Sequence, residues 1–490
     1  MNRLITMKTA YAHIARMKTV EEFRNHVASQ NIEIPIDTVV VPAPSGALAQ
    51  PFVLKGGKKI GNRFCIQPME GWDAGTDGKP TDLVTRRWKN FGVSGAKLIW
   101  GGEAAAVRPD GRANPNQLMM LDENMSEIED LRLSLVNEHL NHYGQVDDLL
   151  VGLQLTHSGR FCRPNIKTKL EPKIAYHHPV LDKQFGIAPD YPVLTDAEVD
   201  DLIGYYVRAA KRAQAIGFEF VDVKHCHGYL GHEFLSAVER PGRYGGSFEN
   251  RTRFMREIIK GIQSECPGLI IGVRFSSFDM PPFRPDEENV GRMVDYVDDK
   301  GRYPYAFGGD PDKPGSIKLD EPIALMKMME EIGVELVNFS AASPYYNPHL
   351  TRPAYYPPSD GYLPPEDPIV GVARHIKIAG ELKNAVPNLA CVGSGYSYLQ
   401  DWTPNVAQAV VKAGLIDFAG LGRSTLSYPE LPADVLAGRP LVRNHICRTF
   451  SDCTTAPRKG MVSGCYPLDE FYKSRPEADE VKRIKKEMQK

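Results

Sequence analysis

The chain alternates short apolar runs with stretches of helical period. Eight runs rich in β-branched or other apolar residues recur along it: Asn62–Gln67, Lys97–Trp100, Leu149–Leu155, Phe218–Val223, Leu269–Phe275, Leu336–Ser340, Leu389–Val392 and Ile416–Ala419. Stretches with apolar residues at helical spacing lie between them: Asp196–Ile216, Arg251–Glu265, Pro322–Ile332 and Thr403–Ala413. Strands that alternate with helices in this way predict an α/β fold, a (β/α)8 TIM barrel.

An open, doubly wound sheet is the alternative fold. It predicts a glycine-rich phosphate-binding turn after the first strand. The segment that follows the first run, Gln67–Gly71, reads QPMEG and lacks that pattern. We therefore predict the barrel, over residues 54–438, with an N-terminal extension at 1–53 and a C-terminal tail at 439–490. Within the extension, Thr19–Ser29 has the pattern of a helix.

Two long segments interrupt the alternation of strands and helices. They are Arg302–Lys318 and Ser343–Pro368, and both are rich in residues that form loops. They follow the fifth and sixth predicted strands, on the face where barrel active sites lie. This favours a substrate wall over surface decoration. The second loop carries aromatic residues that would suit a planar or apolar substrate, unless they pack against one another: Tyr345, Tyr346, Tyr355, Tyr356 and Tyr362.

Composition narrows the class of partner. The formal net charge is −2 at pH 7, which gives no reason to expect nucleic acid or an anionic membrane as a partner. No apolar run approaches the ~18 residues of a membrane span. The N-terminus lacks the apolar core of a secretory signal, and the eight cysteines are scattered. We expect a cytoplasmic enzyme with reduced thiols, a small-molecule substrate and a homo-oligomeric assembly.

Polar side chains cluster where the fourth predicted strand ends. Lys224, His227 and Tyr229 follow that strand within a few residues, at the edge where barrels hold catalytic groups. A zinc site formed by His225, Cys226 and His227 would have poor geometry, because alternating strand residues point to opposite sides. A Schiff-base lysine at Lys224 is a more serious alternative.

Motifs at six of the strand ends can be compared as a set. They are NRFCIQPME, GGEAAAVRPDGR, LQLTHSGR, HCHGYLGHEFLS with YGGSFENRTRF, VRFSS, and DFAGLGRSTLSYP. In this order they resemble the old yellow enzyme family of FMN-dependent oxidoreductases, particularly its branch near dienoyl-CoA reductase and trimethylamine dehydrogenase. The resemblance runs from about Leu54 to Leu436 and implies an FMN-binding barrel.

The resemblance also implies a set of cofactor-binding residues. It places Pro68, Met69 and Glu70 at the flavin N5 edge, with Ala104 close to the same ring. Gln154 would bind the pyrimidine edge, and Arg274 would stabilise negative charge at N1 of the reduced flavin. The phosphate would lie on backbone N–H groups beside a counter-charge: Gly393, Ser394, Gly395, Gly422 and Arg423. Taken singly, Gln154 and Arg274 could equally be polar residues at the rim of the core, and the glycines could be turn residues.

The family's reacting residues map onto the fourth strand. His227 and Tyr229 match the family, whereas Lys224 stands where a histidine is usual. The resemblance implies that Lys224 and His227 bind the substrate's oxygen and that Tyr229 protonates carbon, while hydride passes between flavin N5 and an activated C=C bond. The reductant would be NAD(P)H or a separate electron donor.

Glu70 is a second departure, because small hydroxyl or thiol residues are commoner at its position. Its carboxylate could oppose flavin reduction, act as an acid or base on the substrate, or point away and pair with an arginine. An FMN-dependent dehydrogenase that oxidises a small substrate is therefore the first alternative. A flavinless Lys224 lyase or binding barrel is the second.

The tail contains three cysteines. The dienoyl-CoA reductase branch has four there, spaced C-x2-C-x3-C-x11-C, which bind a 4Fe–4S cluster. Cys453 and Cys465 fit the last two positions, but the first two fall on Ile446 and Thr449, and Cys447 is one residue out of register. Loss of the cluster is favoured over a cluster with a non-cysteine fourth ligand. No GxGxxG follows the barrel, so we expect the chain to lack the FAD/NAD domains of that branch.

Overall fold

A parallel β-barrel forms the centre of the protein. The computed structural model describes residues 11–487. Its barrel strands, β1 to β8 in chain order, are Phe64–Ile66, Leu98–Ile99, Leu150–Thr156, Phe220–Val223, Ile270–Ser276, Leu336–Ser340, Ala390–Gly393 and Phe418–Leu421. Each lies within or beside one of the eight apolar runs of the sequence. Nearly every residue in them is buried, as expected for strands that helices cover on one side and a packed interior on the other.

The strands pair in chain order and close on themselves. Each strand from β1 to β7 pairs in parallel with the next, and β8 pairs with β1. A short additional strand, Ala104–Ala106, lies beside β3, where Ala104 is in register with Gln154. The predicted (β/α)8 barrel is therefore confirmed. Parallel closure brings all eight carboxyl ends to one face, which is where the polar strand-end residues meet.

One main helix follows each strand. The helices α1 to α8 are Asp82–Val93, Met125–Tyr143, Asp196–Ala215, Phe248–Glu265, Asp320–Glu331, Pro368–Ala385, Thr403–Lys412 and Leu431–Leu436. Several begin at sequence-encoded caps. Thr195 and Glu198 form a capping box at the start of α3, and Ser247 caps α4. The four helices predicted from the sequence are confirmed within a few residues at each end.

Further elements surround the barrel. Two antiparallel hairpins pair Phe52–Val53 with Lys59–Ile60 and Phe283–Pro285 with Gly291–Met293. The additional helices are Val20–Ser29, Leu181–Phe185, Leu230–Leu235, Pro348–Thr351, Asp452–Arg458, Glu470–Lys473 and Glu477–Glu487. Short 3-10 helices occur at Ile14–Arg16, Ala47–Ala49, Pro109–Gly111, Asp122–Asn124, Gly159–Phe161 and Arg423–Leu426, and a longer one at Tyr396–Trp402 is kinked at Gln400. None of the helices between residues 11 and 487 is both long enough and apolar enough to cross a bilayer.

The two long loops differ from each other. Arg302–Lys318 contains no helix or extended strand, as predicted. The prediction for Ser343–Pro368 was wrong in part, because that segment contains the helical turn Pro348–Thr351. Proline at the first helical position fixes a backbone angle that suits the start of a helix. In a segment with many prolines, this local preference does not stand out from the sequence.

Candidate active site

A cavity opens at the carboxyl ends of the barrel strands. The residues that line it come from every part of the barrel except β2 and from the C-terminal tail: Gln67, Pro68, Met69, Glu70, Trp72, Arg87, Gln154, Lys224, His227, Tyr229, Arg274, Pro344, Tyr345, Thr351, Arg352, Ser394, Gly395, Tyr396, Ser397, Gly420, Gly422, Arg423, Leu426, Cys453, Thr454, Pro457, Arg458 and Ser463. The two ends of this cavity differ in chemistry. We call them the reacting end (Glu70, Lys224, His227, Tyr229 and Tyr345) and the arginine end (Gly395, Gly422, Arg352, Arg423 and Thr454).

Strained backbone at the end of β4 presents the reacting residues. His227 and Gly228 have φ angles of 68° and 75°, in the left-handed region that histidine rarely adopts. Hydrogen bonds from three directions hold this turn. The Ser276 hydroxyl accepts from the His227 N–H at 3.1 Å, the Ser343 hydroxyl donates to the His227 carbonyl at 2.7 Å, and His232 Nδ1 accepts from the Gly228 N–H at 2.8 Å. Such strain persists only where surrounding contacts fix it, and it is common at functional sites.

The imidazole of His227 is neutral and oriented. Burial, with the cations of Arg274 and Lys224 nearby, lowers the pKa of His227 well below its usual value. Its Nε2 lies 2.7 Å from the Ser340 hydroxyl. When Ser340 donates this hydrogen bond, the ring proton resides on Nδ1, which makes no hydrogen bond among residues 11–487. His227 can therefore offer an N–H donor to a ligand.

Tyr229 contacts the carboxylate of Glu70. The Tyr229 hydroxyl donates to Glu70 Oε2 at 2.6 Å and lies 2.9 Å from the Tyr345 hydroxyl. Lys224 Nζ is 3.6 Å from the same Glu70 oxygen and 3.9 Å from the centre of the Tyr229 ring. Burial and the neighbouring carboxylate raise the pKa of Tyr229 well above its usual value. The sequence left open whether Glu70 faces the site or points away and pairs with an arginine. The structure shows that its side chain points into the cavity.

The segment that carries Glu70 rests on a buried charge cluster. Arg87 of α1 forms ion pairs with Asp73 and Glu103, and all three side chains are almost completely buried. Met69 forms a parallel bridge with Glu103, and its N–H donates to the Gly102 carbonyl at 3.1 Å. Burial raises the pKa of Glu103 to about 7. These contacts attach the end of β1 to the end of β2 and so fix where Glu70 points.

A buried carboxylate orients Gln154. The Asp222 side chain accepts hydrogen bonds from Gln154 Nε2 at 2.5 Å, Trp100 Nε1 at 2.7 Å and the Arg274 N–H at 2.7 Å. A carboxylate can only accept, so the amide nitrogen of Gln154 faces Asp222, and its carbonyl oxygen is the atom available to the cavity. Gln154 is thus fixed as an acceptor, which suits a ligand N–H group.

Gln67 and Arg274 form the floor between the two ends. Gln67 Nε2 lies 2.6 Å from the Ser394 hydroxyl and 3.2 Å from the Gly393 carbonyl, which joins β1 to β7. Arg274 Nη1 donates to the Pro68 carbonyl at 3.3 Å, whereas its buried Nε has no partner among residues 11–487. A buried guanidinium with unused donors needs an acceptor, which an electron-rich ligand above it could supply.

The arginine end carries positive charge without carboxylates. Arg423 Nη1 donates to the Thr454 hydroxyl and lies 3.6 Å from Cys453 Sγ. Arg352 Nη1 donates to the Ser451 hydroxyl at 2.9 Å, but its buried Nε and Nη2 have no partner among residues 11–487. Neither arginine forms an ion pair with any residue between 11 and 487. Desolvation and the nearby Arg352 cation lower the pKa of Arg423 to about 10. An anion placed between them would satisfy both.

Most of the predicted site residues meet at this cavity. Lys224, His227, Tyr229 and nine of the eleven predicted cofactor residues line it. Ala104 and Gly393 do not. Ala104 is buried beside Gln154, and its carbonyl accepts from Gln117. Gly393 presents only its carbonyl, to Gln67. Both of these small residues therefore act through the backbone behind the cavity wall.

Of the two alternatives that the sequence left open for the loop tyrosines, packing within the protein describes most of them better than a substrate wall. Of its five tyrosines only Tyr345 lines the cavity. The Tyr346 hydroxyl donates to buried Asp279 at 2.6 Å, away from the site. Tyr355 and Tyr356 pack against each other, near His13 and Phe450. Tyr362 packs against His349. The sequence shows how many aromatic residues a loop has, but not which way the folded loop turns them.

The tail forms part of the cavity wall. Cys453 lines the cavity, whereas Cys447 and Cys465 are buried. Burial raises the pKa of Cys465, and the nearby thiols of Cys447 and Cys453 raise it further. All eight cysteines are unpaired thiols. Between residues 11 and 487, no group of three or more His, Cys, Asp or Glu side chains is arranged to hold a metal ion. Ile446 and Thr449, at the first two cluster positions, are buried, and Thr449 accepts from the Tyr355 N–H at 3.1 Å.

Sequence reasoning missed several residues of the site: Gln67, Asp222, Ser340, Arg352 and Thr454. Asp222 carried a usable signal, because a lone carboxylate inside an apolar strand needs buried donors. The others carried no such signal. Their roles depend on contacts between segments far apart in the chain.

The comparisons with known proteins agree with this fold. The model of the NADH:flavin oxidoreductase / NADH oxidase family matches residues 47–302, and the chain belongs to that family. The chain is 27% identical over 387 residues to a protein named NADH oxidase from Thermoanaerobacter brockii. That match covers 78% of this chain but only 50% of the relative. An NADPH dehydrogenase from Geobacillus sp. (strain WCH70) is 29% identical over 300 residues, 60% of this chain and 73% of the relative.

Solved structures share the barrel. The old yellow enzyme homologue from Zymomonas mobilis superposes with a TM-score of 0.55 at 18% identity, and the match covers 81% of this chain and 94% of the other. A complex of 2-naphthoyl-CoA reductase with 2-naphthoyl-CoA gives a TM-score of 0.60 at 18% identity and covers 89% and 58%. The predicted relationship to the old yellow enzyme family is confirmed by the family match, and these structures confirm the barrel fold.

Proposed function

We propose that the protein binds FMN in this cavity and transfers hydride between flavin N5 and an activated C=C bond of an α,β-unsaturated carbonyl, acyl or ring compound, with NAD(P)H as the reductant. The observation that carries the proposal is the arrangement of the cavity. A cation, a neutral histidine and a tyrosine lie at one end, unpaired arginines lie at the other, and a fixed amide and a buried guanidinium lie between them. A ligand such as FMN matches these features: its phosphate suits the arginines, its imide edge suits the amide, and its redox ring would extend toward the reacting end.

The residues present fit the flavin at three points. The carbonyl oxygen of Gln154 would accept from the N–H of the pyrimidine edge. Arg274, with an unused donor in the floor, would lie beside the N1 and O2 edge and stabilise negative charge there. Arg423 and Arg352 would bind the phosphate together with backbone N–H groups at Gly395 and Gly422. Flavin supplies hydride chemistry, which no protein side chain provides.

Lys224 and His227 would bind the substrate's electron-withdrawing oxygen. Lys224 Nζ is buried and makes no hydrogen bond among residues 11–487; its nearest anion is Glu70 at 3.6 Å. The ammonium is a stronger point charge than the imidazole usual in the family, so the site favours oxygens that carry or develop negative charge. His227 adds an N–H donor without a second positive charge. Tyr229 would then exchange a proton with the substrate carbon.

Two alternatives differ in what the reacting end supports. A dehydrogenase that oxidises its substrate would use the same residues in reverse, and the hydrogen bond from Tyr229 to Glu70 favours this second candidate, because a carboxylate there can take up a proton. A Schiff-base lyase at Lys224 is less well supported. The Glu70 carboxylate and the Tyr229 ring both stabilise an ammonium, whereas a Schiff-base lysine must react as the neutral amine.

The test is anaerobic turnover on a panel of substrates. Protein loaded with FMN is mixed with NADPH or NADH and then with cyclohexenone, cinnamaldehyde, an enoate or an enoyl thioester. We expect the flavin colour to bleach with the nicotinamide and to return with at least one acceptor. A protein that binds FMN but is not reoxidised by any of the acceptors, and that is bleached by saturated compounds, would support the dehydrogenase. A protein that binds no flavin would contradict the proposal.

Two further proposals concern the chain as a whole. We propose the division into an extension at 1–53, a barrel at 54–438 and a tail at 439–490, and we propose that a homo-oligomer is the working form. For the tail, loss of the iron–sulfur cluster is favoured, because buried Ile446 occupies one of the expected ligand positions and Thr449 another. Iron and sulfide analysis of protein purified without oxygen tests this.

A further inference from the structure

The closest polar contact at the reacting end joins Tyr229 to Glu70. The Tyr229 hydroxyl donates its hydrogen bond to a carboxylate oxygen 2.6 Å away. In this arrangement Tyr229 cannot give its proton to a substrate unless the carboxylate first holds one, because a tyrosinate and a carboxylate at this distance would repel each other strongly. Burial raises the pKa of Tyr229, and the Glu70 carboxylate raises it further.

We propose that Glu70 is a catalytic acid–base group, and that Tyr229 passes a proton between Glu70 and the substrate carbon. This inference rests on the proposed function. In the direction of reduction, the Glu70 carboxylic acid gives its hydrogen to the Tyr229 oxygen as the Tyr229 hydrogen forms a bond to the substrate's α carbon. Glu70 ends as a carboxylate and Tyr229 ends neutral. The accompanying hydride would come from FMN held in the cavity, with NAD(P)H as the reductant.

The same relay runs in reverse for oxidation. The Tyr229 oxygen takes the α hydrogen as its own hydrogen moves to the Glu70 carboxylate. The arrangement in the structure, with Tyr229 donating to Glu70, is therefore the form that accepts a proton. The two directions therefore begin from opposite protonation states of one residue.

Other charged groups face Glu70 and set the conditions for the relay. The titratable and charged groups near it, from the ends of β2 and β4 and from the loop after β6, are Glu103, Lys224, Cys226, Tyr229 and Tyr345. Lys224 is the only cation among them, and it stabilises the carboxylate that remains after the proton leaves. Tyr345 lies 2.9 Å from the Tyr229 oxygen, but it has no charge to offer the relay.

The experiment compares Glu70→Gln with the unmodified protein at several pH values. An amide keeps the size of the side chain but cannot take up a proton. We expect reduction of cyclohexenone, or of the panel member reduced fastest, to fall about 100-fold. Because Glu70 must hold a proton before it can give one, the pH profile of reduction in the unmodified protein should contain a contribution from this carboxyl group. Glu70→Gln should lack this contribution, and Glu249→Gln, the same change at an exposed residue of α4, should keep it.

A second readout needs no redox turnover. In D2O the relay should exchange the α hydrogens of cyclohexanone, or of the saturated product of the chosen acceptor, for deuterium. The exchange should occur in both FMN-loaded and flavin-free protein, and it should be faster at higher pH. Proton NMR measures this. Glu70→Gln and Tyr229→Phe should each abolish the exchange, and the double variant should lose no more than Tyr229→Phe alone.

The outcomes separate the two proposals. If the unmodified protein reduces none of the acceptors, the proposed function fails and the relay fails with it. If it reduces an acceptor but Glu70→Gln keeps the normal pH profile and the normal exchange, only the relay is overturned, and Glu70 is then no more than a neighbour of Tyr229.

Discussion

The reacting end and the arginine end of the cavity differ in whether their charged side chains have partners of opposite charge. At the reacting end the protein supplies both partners, because Glu70 faces Lys224 and Tyr229 within one group of contacts. At the arginine end Arg352 and Arg423 have hydroxyl and thiol neighbours and no carboxylate among residues 11–487. A carboxylate that contacts a hydroxyl and an ammonium group can bind and transfer a proton in the absence of a ligand. Unpaired cations instead require a bound anion.

This difference gives each end its own measurable property. Changes at the reacting end should alter rates and pH profiles while flavin affinity stays nearly constant. Changes at the arginine end should alter flavin affinity while the rate of the fully loaded protein stays nearly constant. A variant that crossed this division would show that the two ends are not independent.

Tyr229→Phe should have the largest effect. Removing the hydroxyl eliminates the proton donor, and general acid catalysis of this kind contributes about 100- to 10,000-fold. We expect a loss of this size in reoxidation of the reduced flavin by an enone. The preceding reduction of the flavin by NADPH should be nearly unchanged, and stopped-flow absorbance follows the two half-reactions separately. Equal losses in both would place Tyr229 outside the proton transfer.

Arg423→Gln should have the next largest effect, at the other end. A charge-assisted hydrogen bond to phosphate contributes about 1.5–3 kcal/mol, so the Kd for FMN should rise about 10- to 100-fold. Riboflavin has no phosphate and serves as the matched ligand. Its Kd should hardly change, as fluorescence quenching would show. If both ligands weaken together, Arg423 supports the fold and not the phosphate.

Lys224→Met should separate substrates by charge. The variant keeps the unbranched apolar stem but removes the ammonium. We expect kcat/KM to fall about 30-fold for an enoate and about 5-fold for a neutral enone, since a fixed charge acts most strongly on a developing anion. Steady-state kinetics with both acceptors give the ratio. An equal loss for the two would contradict the proposed role of Lys224.

Ser340→Ala should have the smallest effect of the four. Without the hydroxyl at 2.7 Å, His227 loses the hydrogen bond that, with Ser340 as donor, places the ring proton on Nδ1. A single neutral hydrogen bond contributes about 1 kcal/mol, so kcat/KM for an enone should fall about 5-fold. Ser277→Ala is the control, because Ser277 follows β5 and its hydroxyl donates to the Ser340 carbonyl at the end of β6. A similar loss of kcat/KM in that control would mean that the backbone geometry at the end of β6 determines the rate and the His227 tautomer does not.

The barrel was predictable from the sequence because its signals are local. Each strand is an apolar run of a few residues, and each helix has its own period and cap, as Thr195 and Glu198 show for α3. The clustering of Lys224, His227 and Tyr229 was predictable for the same reason. All three follow one strand, and parallel strands of a barrel end on one face.

The contacts that define the chemistry were not predictable in this way. Tyr229 and Glu70 are 159 positions apart, and Gln67 and Ser394 are 327 apart. Barrel topology brings such residues to the same face, but whether two side chains meet at 2.6 Å depends on packing around them. For Glu70 that packing is the buried Arg87, Asp73 and Glu103 cluster, which no pattern in the sequence reveals. The misplaced tyrosines of the loop after β6 illustrate the same limit.

The most direct test of the account is one anaerobic absorbance trace of the FMN-loaded protein. NADPH is added first, cyclohexenone or another acceptor of the panel second, and the visible flavin band is followed throughout. We predict that the band bleaches with NADPH and returns with the acceptor, in the unmodified protein and, more slowly, in Tyr229→Phe. A flavin that NADPH does not reduce, or that returns equally fast in both proteins, would contradict hydride transfer completed by a proton from Tyr229.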